Sequence, residues 1–460
     1  MQRQMKPRRH GDTEAPPCLR VSVVIFLSLA AVGCTVHPDG ENQERQSALH
    51  AGAPYEPPIA QRQLPPLPDK PTVDDLVRYA LQTNPDVERS YWEWRSALEQ
   101  IPIDGTQATN LAISAGTILN RGSFSGDRTT IGAQNDPMSD IVLPDKLSAA
   151  AHRSLEAARA AAKRFRQAQL DLRSKVISAY DDYALTAELI RLGNQSVQLL
   201  QATASITEAR NRAASSSQQD VLKSRNELDL ARNNVANLQS QLPAQLAALN
   251  ALLGREASAP IAPPAALPPA RPVQYSDQQL LDLLAKANPQ LLALADEIRG
   301  KQQSIRLAKL QYIPDFSLSA NTDLAGMAQN LSGMITLPLL RHEALDAAIA
   351  QAKANLRASE AARRRTKSDL AAQAIMDIAT LRDADRQLQL FEQAILPRSR
   401  QEVALTRAAY ESATATLLDL LDSQRSLIDT EQLVVTLRIT RDKRLADLES
   451  LAAAPIQPAP

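Results

Sequence analysis

Residues 76–87 read Leu-Val-Arg-Tyr-Ala-Leu-Gln-Thr-Asn-Pro-Asp-Val, and residues 280–291 read Leu-Leu-Asp-Leu-Leu-Ala-Lys-Ala-Asn-Pro-Gln-Leu. Asn84-Pro85 and Asn288-Pro289 therefore align at an offset of 204. A second match pairs the run from Asp220 to Leu228 with that from Asp419 to Leu427 at an offset of 199. A third pairs Ile141-Val-Leu-Pro144 with Ile335-Thr-Leu-Pro338 at 194. Three anchors in one order at nearly one offset mark a tandem duplication. Prolines 260, 263, 264, 268, 269 and 272 lie between the copies, where they forbid helix and predict an extended linker.

The expected organisation is a signal segment at 1–33, a Pro-rich linker at 34–71, a first repeat at 72–258, a second linker at 259–275, a second repeat at 276–454 and a tail at 455–460. Within each repeat a short helical segment comes first, at 73–100 and at 277–310. Two β-like stretches follow, at 110–119 and 139–143 in the first copy and at 316–322 and 332–337 in the second, divided by Gly, Asn, Asp and Ser. A long helical hairpin closes each copy, at 148–253 and 343–452. An arm of some 65 residues reaches roughly 100 Å, too long for a globular core. Leu185, Leu192, Leu199, Ile206 and Ala213 recur every seventh residue, as do Val221, Leu228, Val235, Leu242 and Leu249. Leu420, Leu427 and Val434 repeat that register, and Leu421, Ile428 and Val435 form a second stripe beside it. This is coiled-coil packing with neighbours on more than one side. Pro243 and Pro397 are expected to kink or break their arms. Ser217-x-x-Asp220 and Thr416-x-x-Asp419 read as capping boxes that start the two return helices.

The chain of 460 residues balances 51 Lys and Arg against 51 Asp and Glu, with 44% hydrophobic, 3% aromatic and only 14 Gly. That composition suits long helices and excludes a basic nucleic-acid binder and a disordered chain. Arg3, Lys6, Arg8, Arg9 and Arg20 precede an uncharged run at 21–33, the layout of a secretory signal and too short for a membrane span. It ends Ala31-Val32-Gly33-Cys34, which resembles a bacterial lipobox and makes Cys34 the lipidated N-terminus. Cleavage there removes five positive and two negative charges and leaves the mature chain at −3. Cys18 leaves with the signal, so no disulfide or cysteine zinc site remains. His10, His37, His50, His152 and His342 are scattered, and no H-E-x-x-H, G-x-S-x-G, P-loop or G-x-G-x-x-G occurs. Neither an enzyme nor a cofactor is expected, and Trp92 and Trp94 read as packing residues.

The repeated Asn-Pro helices, the Leu-Pro pairs and the tip Tyr410-x-x-Ala413-x-x-Thr416-x-x-Asp419-Leu-Leu-Asp422 resemble the outer-membrane efflux protein (TolC-like) family, in its lipoprotein branch, over about 72–452. The resemblance implies a mainly α fold with a small β part. Long helical hairpins form an α-barrel, and four strands per chain complete a trimeric 12-stranded β-barrel. It implies a homotrimer in the outer membrane of a Gram-negative bacterium, extending into the periplasm to meet an adaptor and an inner-membrane pump. The function implied is a passive exit duct for drugs, metal ions or other small cargo. A periplasmic adaptor or structural coiled-coil lipoprotein without a pore is the alternative, although adaptors carry one hairpin rather than two. The resemblance also places Asp419 and Asp422 at the periplasmic aperture and makes Tyr410 and Asp220 its latch. The family's latch arginine falls at Ala415 here, and Ala214 and Ala413 stand where the family usually has Gly. The small residues Ala214, Ser215 and Ser216, with Ala413, Thr414 and Ala415, are expected to dock the adaptor's hairpin.

Overall fold

Each Asn-Pro pair divides a helix in two. A proline pushes the residue before it out of the helical region, and Asn84 and Asn288 are extended (φ −70°, ψ 124° and φ −61°, ψ 120°). Each then caps the helix that its proline begins: Asn84 Oδ1 accepts from the backbone N–H of Asp86 at 2.9 Å, and Asn288 Oδ1 from that of Leu291 at 3.1 Å. The amide ends reach across the fold, Asn84 Nδ2 to the Leu252 carbonyl and Asn288 Nδ2 to the Leu451 carbonyl, both at 3.0 Å. The duplicated dipeptide thus breaks one helix, starts the next and ties both to the end of the hairpin.

The computed structural model describes residues 35–456, apart from 107–110, 118–128, 136–141, 265–266, 268–272, 274, 324–328 and 338–340. Cys34 and the signal segment lie outside the described residues. Helix α1 is Glu41–Gly52, α2 Val73–Thr83 and α3 Pro85–Gly105. Strands β1 (Leu111–Thr117) and β2 (Thr129–Asn135) follow, then the first hairpin, α4 (Pro144–Arg212) and α5 (Gln218–Leu252). The second copy repeats the order with α6 (Asp277–Ala287), α7 (Pro289–Leu310), β3 (Asp315–Asp323), β4 (Gln329–Thr336), α8 (His342–Leu390), a π turn at Phe391–Ile395, α9 (Leu396–Glu411) and α10 (Leu417–Ala452).

The chain forms two compact units. The first contains four strands, antiparallel in the order β1-β2-β3-β4, so β2 and β3 join the two copies and, among the described residues, β1 and β4 each have one neighbour. Buried Lys146, at the start of α4, donates to the Ile313 carbonyl and to Asp315, both at 2.7 Å, fixing the root of β3. Thr35 bridges Thr106, and the Val36 N–H donates to the Gly105 carbonyl at 2.9 Å.

The second unit holds the greater part of the hairpins. Leu280 and Leu284 pack on Ala374, Ile378 and Leu381 of α8 and on Leu445 and Leu448 of α10. Val221, Leu228, Val235 and Leu249 are buried along α5, and Leu420, Leu421, Val434 and Val435 along α10, as heptads require. Polar ties join the copies: Arg173 to Glu449 at 2.7 Å, Ser174 to Asp447 at 2.7 Å and Lys443 to Asp182.

Four features differ from the expectation drawn from sequence, the first being that the single helical segments expected at 73–100 and 277–310 are each two helices, α2 with α3 and α6 with α7. The second strand of the first copy is β2 at Thr129–Asn135; of the strand expected at 139–143, residues 139–141 lie outside the described residues and Val142 and Leu143 are not in a strand. Pro144 opens α4, so Val142 and Leu143 lead into a helix. Pro243 lies inside an unbroken α5, whereas the interruption expected at Pro397 takes the form of a π turn. Proline lacks the N–H and crowds the carbonyl four residues back, and the wider turn relieves both. The segment 34–71 is not merely a linker. It forms α1, then places Tyr55 against Tyr91 (5.3 Å between ring centroids) and Phe165 (6.1 Å). Arg62 pairs with Glu88 at 2.6 Å and lies 5.6 Å from the Tyr55 ring centroid. Gly52 is required there, since an added Cβ would sit 2.0 Å from the Tyr91 ring.

Candidate functional site at the hairpin tips

Both hairpins reverse by one device, residue for residue at an offset of 199. At the end of α4 the Ser215 N–H donates to the Arg210 carbonyl at 2.8 Å and the Ala214 N–H to that of Asn211 at 2.9 Å. At the end of α9 the Thr414 N–H reaches the Ala409 carbonyl at 2.8 Å and the Ala413 N–H that of Tyr410 at 3.1 Å. These are Schellman endings, which require a left-handed residue after the helix. Ala214 (φ 55°) and Ala413 (φ 60°) supply it without glycine. The return helices then begin on capping boxes. Ser217 Oγ accepts from the Asp220 N–H at 3.1 Å and Thr416 Oγ1 from the Asp419 N–H at 3.2 Å. Hydrogen bonds from the Thr416 hydroxyl and N–H hold the exposed Asp419 carboxyl below its ordinary value.

The two tips are bolted together within the chain. Leu200 and Ala204 of α4 and Leu228 of α5 enclose Leu417, Leu420, Leu421 and Tyr410, whose ring is 2% exposed. The Tyr410 hydroxyl and Thr207 Oγ1 are 3.0 Å apart. Arg210 lies over the same ring, 4.5 Å from its centroid, donates to the Tyr410 carbonyl and reaches the Ser215 carbonyl at 3.2 Å. Gln424 donates to Thr203 at 2.9 Å, and Arg425 to Glu227 at 3.0 Å. The pairing of Tyr410 with Asp220 expected from the resemblance is therefore corrected within the chain: Tyr410 is on Thr207 and Arg210, and Asp220 is held in the Ser217 cap. Sequence reading did not single out Thr203, Thr207, Arg210 or Gln424. Nothing in the pattern separates Arg210 from its neighbour Arg212, and only the fold brings it to the ring.

Ala214, Ser215, Ala413 and Thr414 are exposed, whereas Ser216 and Ala415 are half-buried. Ser216 is engaged twice, its hydroxyl on the Thr207 carbonyl at 3.1 Å and its carbonyl accepting from Asn211 at 2.9 Å. Asp422 is exposed one turn beyond Asp419. It lines a groove of about 490 Å³ that runs along α10 past Arg425, Ser426 and Asp429 to Leu433, with Phe391 of the π turn at its end. Among the described residues no group of histidine, cysteine and acidic side chains is placed to hold a metal ion. No described helix is long and apolar enough to cross a membrane.

The chain resembles known proteins over most of its length. It is 22% identical over 396 residues to a probable outer membrane lipoprotein, SilC, of Salmonella typhimurium, covering 81% of this chain and 83% of that one. Its fold matches the outer membrane protein VceC of Vibrio cholerae with a TM-score of 0.70 at 19% identity, over 84% of this chain and 97% of that one. The MtrE outer membrane channel of Neisseria gonorrhoeae, in its open state, matches with a TM-score of 0.70 at 19% identity, over 84% and 89%. The outer membrane efflux protein model fits twice in succession, at residues 76–255 and 280–454, and with both copies accounted for the chain belongs to the outer membrane efflux protein family.

Proposed function

We propose that three copies of this chain close into the outer-membrane exit duct of a tripartite efflux or type I secretion system, carrying small molecules passively from a pump and adaptor to the exterior. The carrying observation is the four-stranded sheet, whose outer strands β1 and β4 each have a free edge among the described residues. Open edges do not persist in lipid, and about eight strands is the least that closes a barrel. Four strands are too few, and three chains supply twelve. Phe316 and its cross-strand partner Ile335 are 39% and 66% exposed, apolar surface that suits a lipid-facing band.

In this reading the tips are the periplasmic mouth, Asp419 and Asp422 of three chains ring it, and its narrowness depends on the Tyr410–Thr207–Arg210 contact. The adaptor's hairpin meets the exposed turns at Ala214, Ser215, Ala413 and Thr414. Conductance of the purified protein in a planar bilayer tests the duct. Discrete channels from a trimer support it, and a protein that stays soluble and poreless after lipid removal is the adaptor alternative. At low salt the double variant Asp419→Asn, Asp422→Asn loses cation preference and block by multivalent cations. Wild-type selectivity in that variant places the ring elsewhere.

A further inference from the structure

The duplication carries a second feature that the duct does not use. Lys163-Arg164-Phe165-Arg166 on α4 and Arg363-Arg364-Arg365-Thr366 on α8 lie 200 residues apart, within one residue of the offset between the tips, and Lys367 extends the second run. Both runs belong to the unit that holds most of the hairpins. Phe165 is buried against Tyr55, Tyr91 and Trp94, which turns Lys163, Arg164 and Arg166 outward around it. All three are exposed, as are Arg363, Arg364, Arg365 and Lys367.

Leaving Arg164 aside, these cations are not neutralised by acids among the described residues. Lys163, Arg363, Arg364 and Lys367 have no acidic partner among the described residues, and Arg166 has only the neutral Gln169 at 3.4 Å. Arg365 meets Asp369 at 3.5 Å with both side chains mostly in solvent, a pair of little strength. The acids of α3 in the same unit are committed elsewhere, Glu88 to Arg62, and Asp86 and Glu93 to Arg89. Since both copies carry the same sign, repeating the chain cannot cancel it. Three copies multiply the charge.

We propose that these two runs form a basic belt that binds the carboxylate-rich peptides of the peptidoglycan layer, holding the duct in the cell wall it passes through. The proposal rests on the reading of the chain as a periplasm-crossing trimer. Guanidinium groups match carboxylates in geometry as well as charge. A polymer that offers many weak carboxylate contacts suits a ring of exposed cations, with the salt sensitivity that counterion release imposes.

The test is co-sedimentation of detergent-solubilised trimers with isolated peptidoglycan sacculi. Wild type should pellet at about 50 mM NaCl and be released at about 300 mM. The variant with Lys163, Arg166, Arg363, Arg364 and Lys367 all changed to Gln should lose roughly tenfold of the pelleted fraction. A companion with the three arginines changed to Lys retains it. Because all five sites are exposed on helices and Gln is a good helix former, the Gln variant should still give wild-type trimers and channels. Undiminished sedimentation of those trimers overturns the proposal. So does binding to phosphatidylglycerol vesicles in place of sacculi, or a changed ion preference of the channel with sacculus binding intact, which would put the cations inside the duct. Absence of channels from the wild type overturns the duct itself, and the sedimentation result is then read separately.

Discussion

Ala214 and Ala413 hold positive φ without glycine, at a cost of roughly 1–2 kcal/mol each because Cβ crowds the following carbonyl. Ala214→Gly and Ala413→Gly should each raise the stability of the tip by about 1 kcal/mol, less the added freedom of glycine when unfolded. The measurement is protection of tip amides from hydrogen exchange, and unchanged or weaker protection contradicts the argument. The capping boxes were legible because four residues carry them locally. The partner of Tyr410 was not legible, since Thr207 and Arg210 lie some 200 positions away and are set by how the copies pack. In the proposed duct Arg210, from the other hairpin and in contact with Tyr410, takes the part of the family's missing latch arginine. Arg210→Met should therefore raise the open probability of the channel several-fold while leaving trimers intact. A gate as closed as that of the wild type would remove Arg210 from the latch.

Where α8 and α10 meet, Asp377 is buried with one carboxylate oxygen unpartnered. Its other oxygen accepts from Arg444 at 3.3 Å, and the same nitrogen donates to Asp447 at 3.0 Å. Burial, and after it the nearby Asp447 charge, pushes the Asp377 carboxyl above its ordinary 3.8, against the opposing pull of Arg444. A carboxyl whose value is higher folded than unfolded favours the fold most when protonated, and that advantage is lost as pH rises through the folded value. Asp377→Asn should therefore raise Tm at neutral pH, match wild type near pH 4 and flatten the profile between. A lower Tm at neutral pH would contradict this. Among the elements, the long arms and the starts of the return helices were legible because heptads and caps act over a few residues, whereas the break at each Asn-Pro was not, since a helical pattern continues on either side of it. The second strand was not: Thr-Thr-Ile-Gly-Ala-Gln-Asn offers weak alternation, and the more apolar residues before Pro144 drew the reading ten places downstream. The exposed turns carry one further expectation. Ser215→Trp and Thr414→Trp should abolish cross-linking to the adaptor without disturbing trimers, because both residues are exposed and lose only hydroxyl bonds within their own turn, Ser215 to the Arg210 carbonyl and Thr414 to the Ala409 carbonyl and the Ser412 hydroxyl. Persistent cross-linking would move the docking surface elsewhere.

At the scale of the whole molecule, the duplication was legible and the strap over α3 was not, because proline-rich composition hides a segment whose fixing contacts are the distant Tyr91, Glu88 and Phe165. Thr35, the residue after Cys34 in the sequence, bridges Thr106, five residues before β1. Lipid on Cys34 would hold that bridge at the membrane before any barrel closes. Cys34→Ser should abolish labelling by radioactive fatty acid and slow trimer assembly, with only partial loss of transport. Persistent labelling removes the lipidation claim. The free edges of β1 and β4 have a genetic consequence as well. Each chain closes its neighbour's sheet, so one chain with a proline in β1 spoils the trimer it enters. Equal co-expression with wild type leaves about one assembly in eight free of the defect. Such an allele should be dominant in the cell, sensitising it to exported compounds even beside an intact copy of the gene.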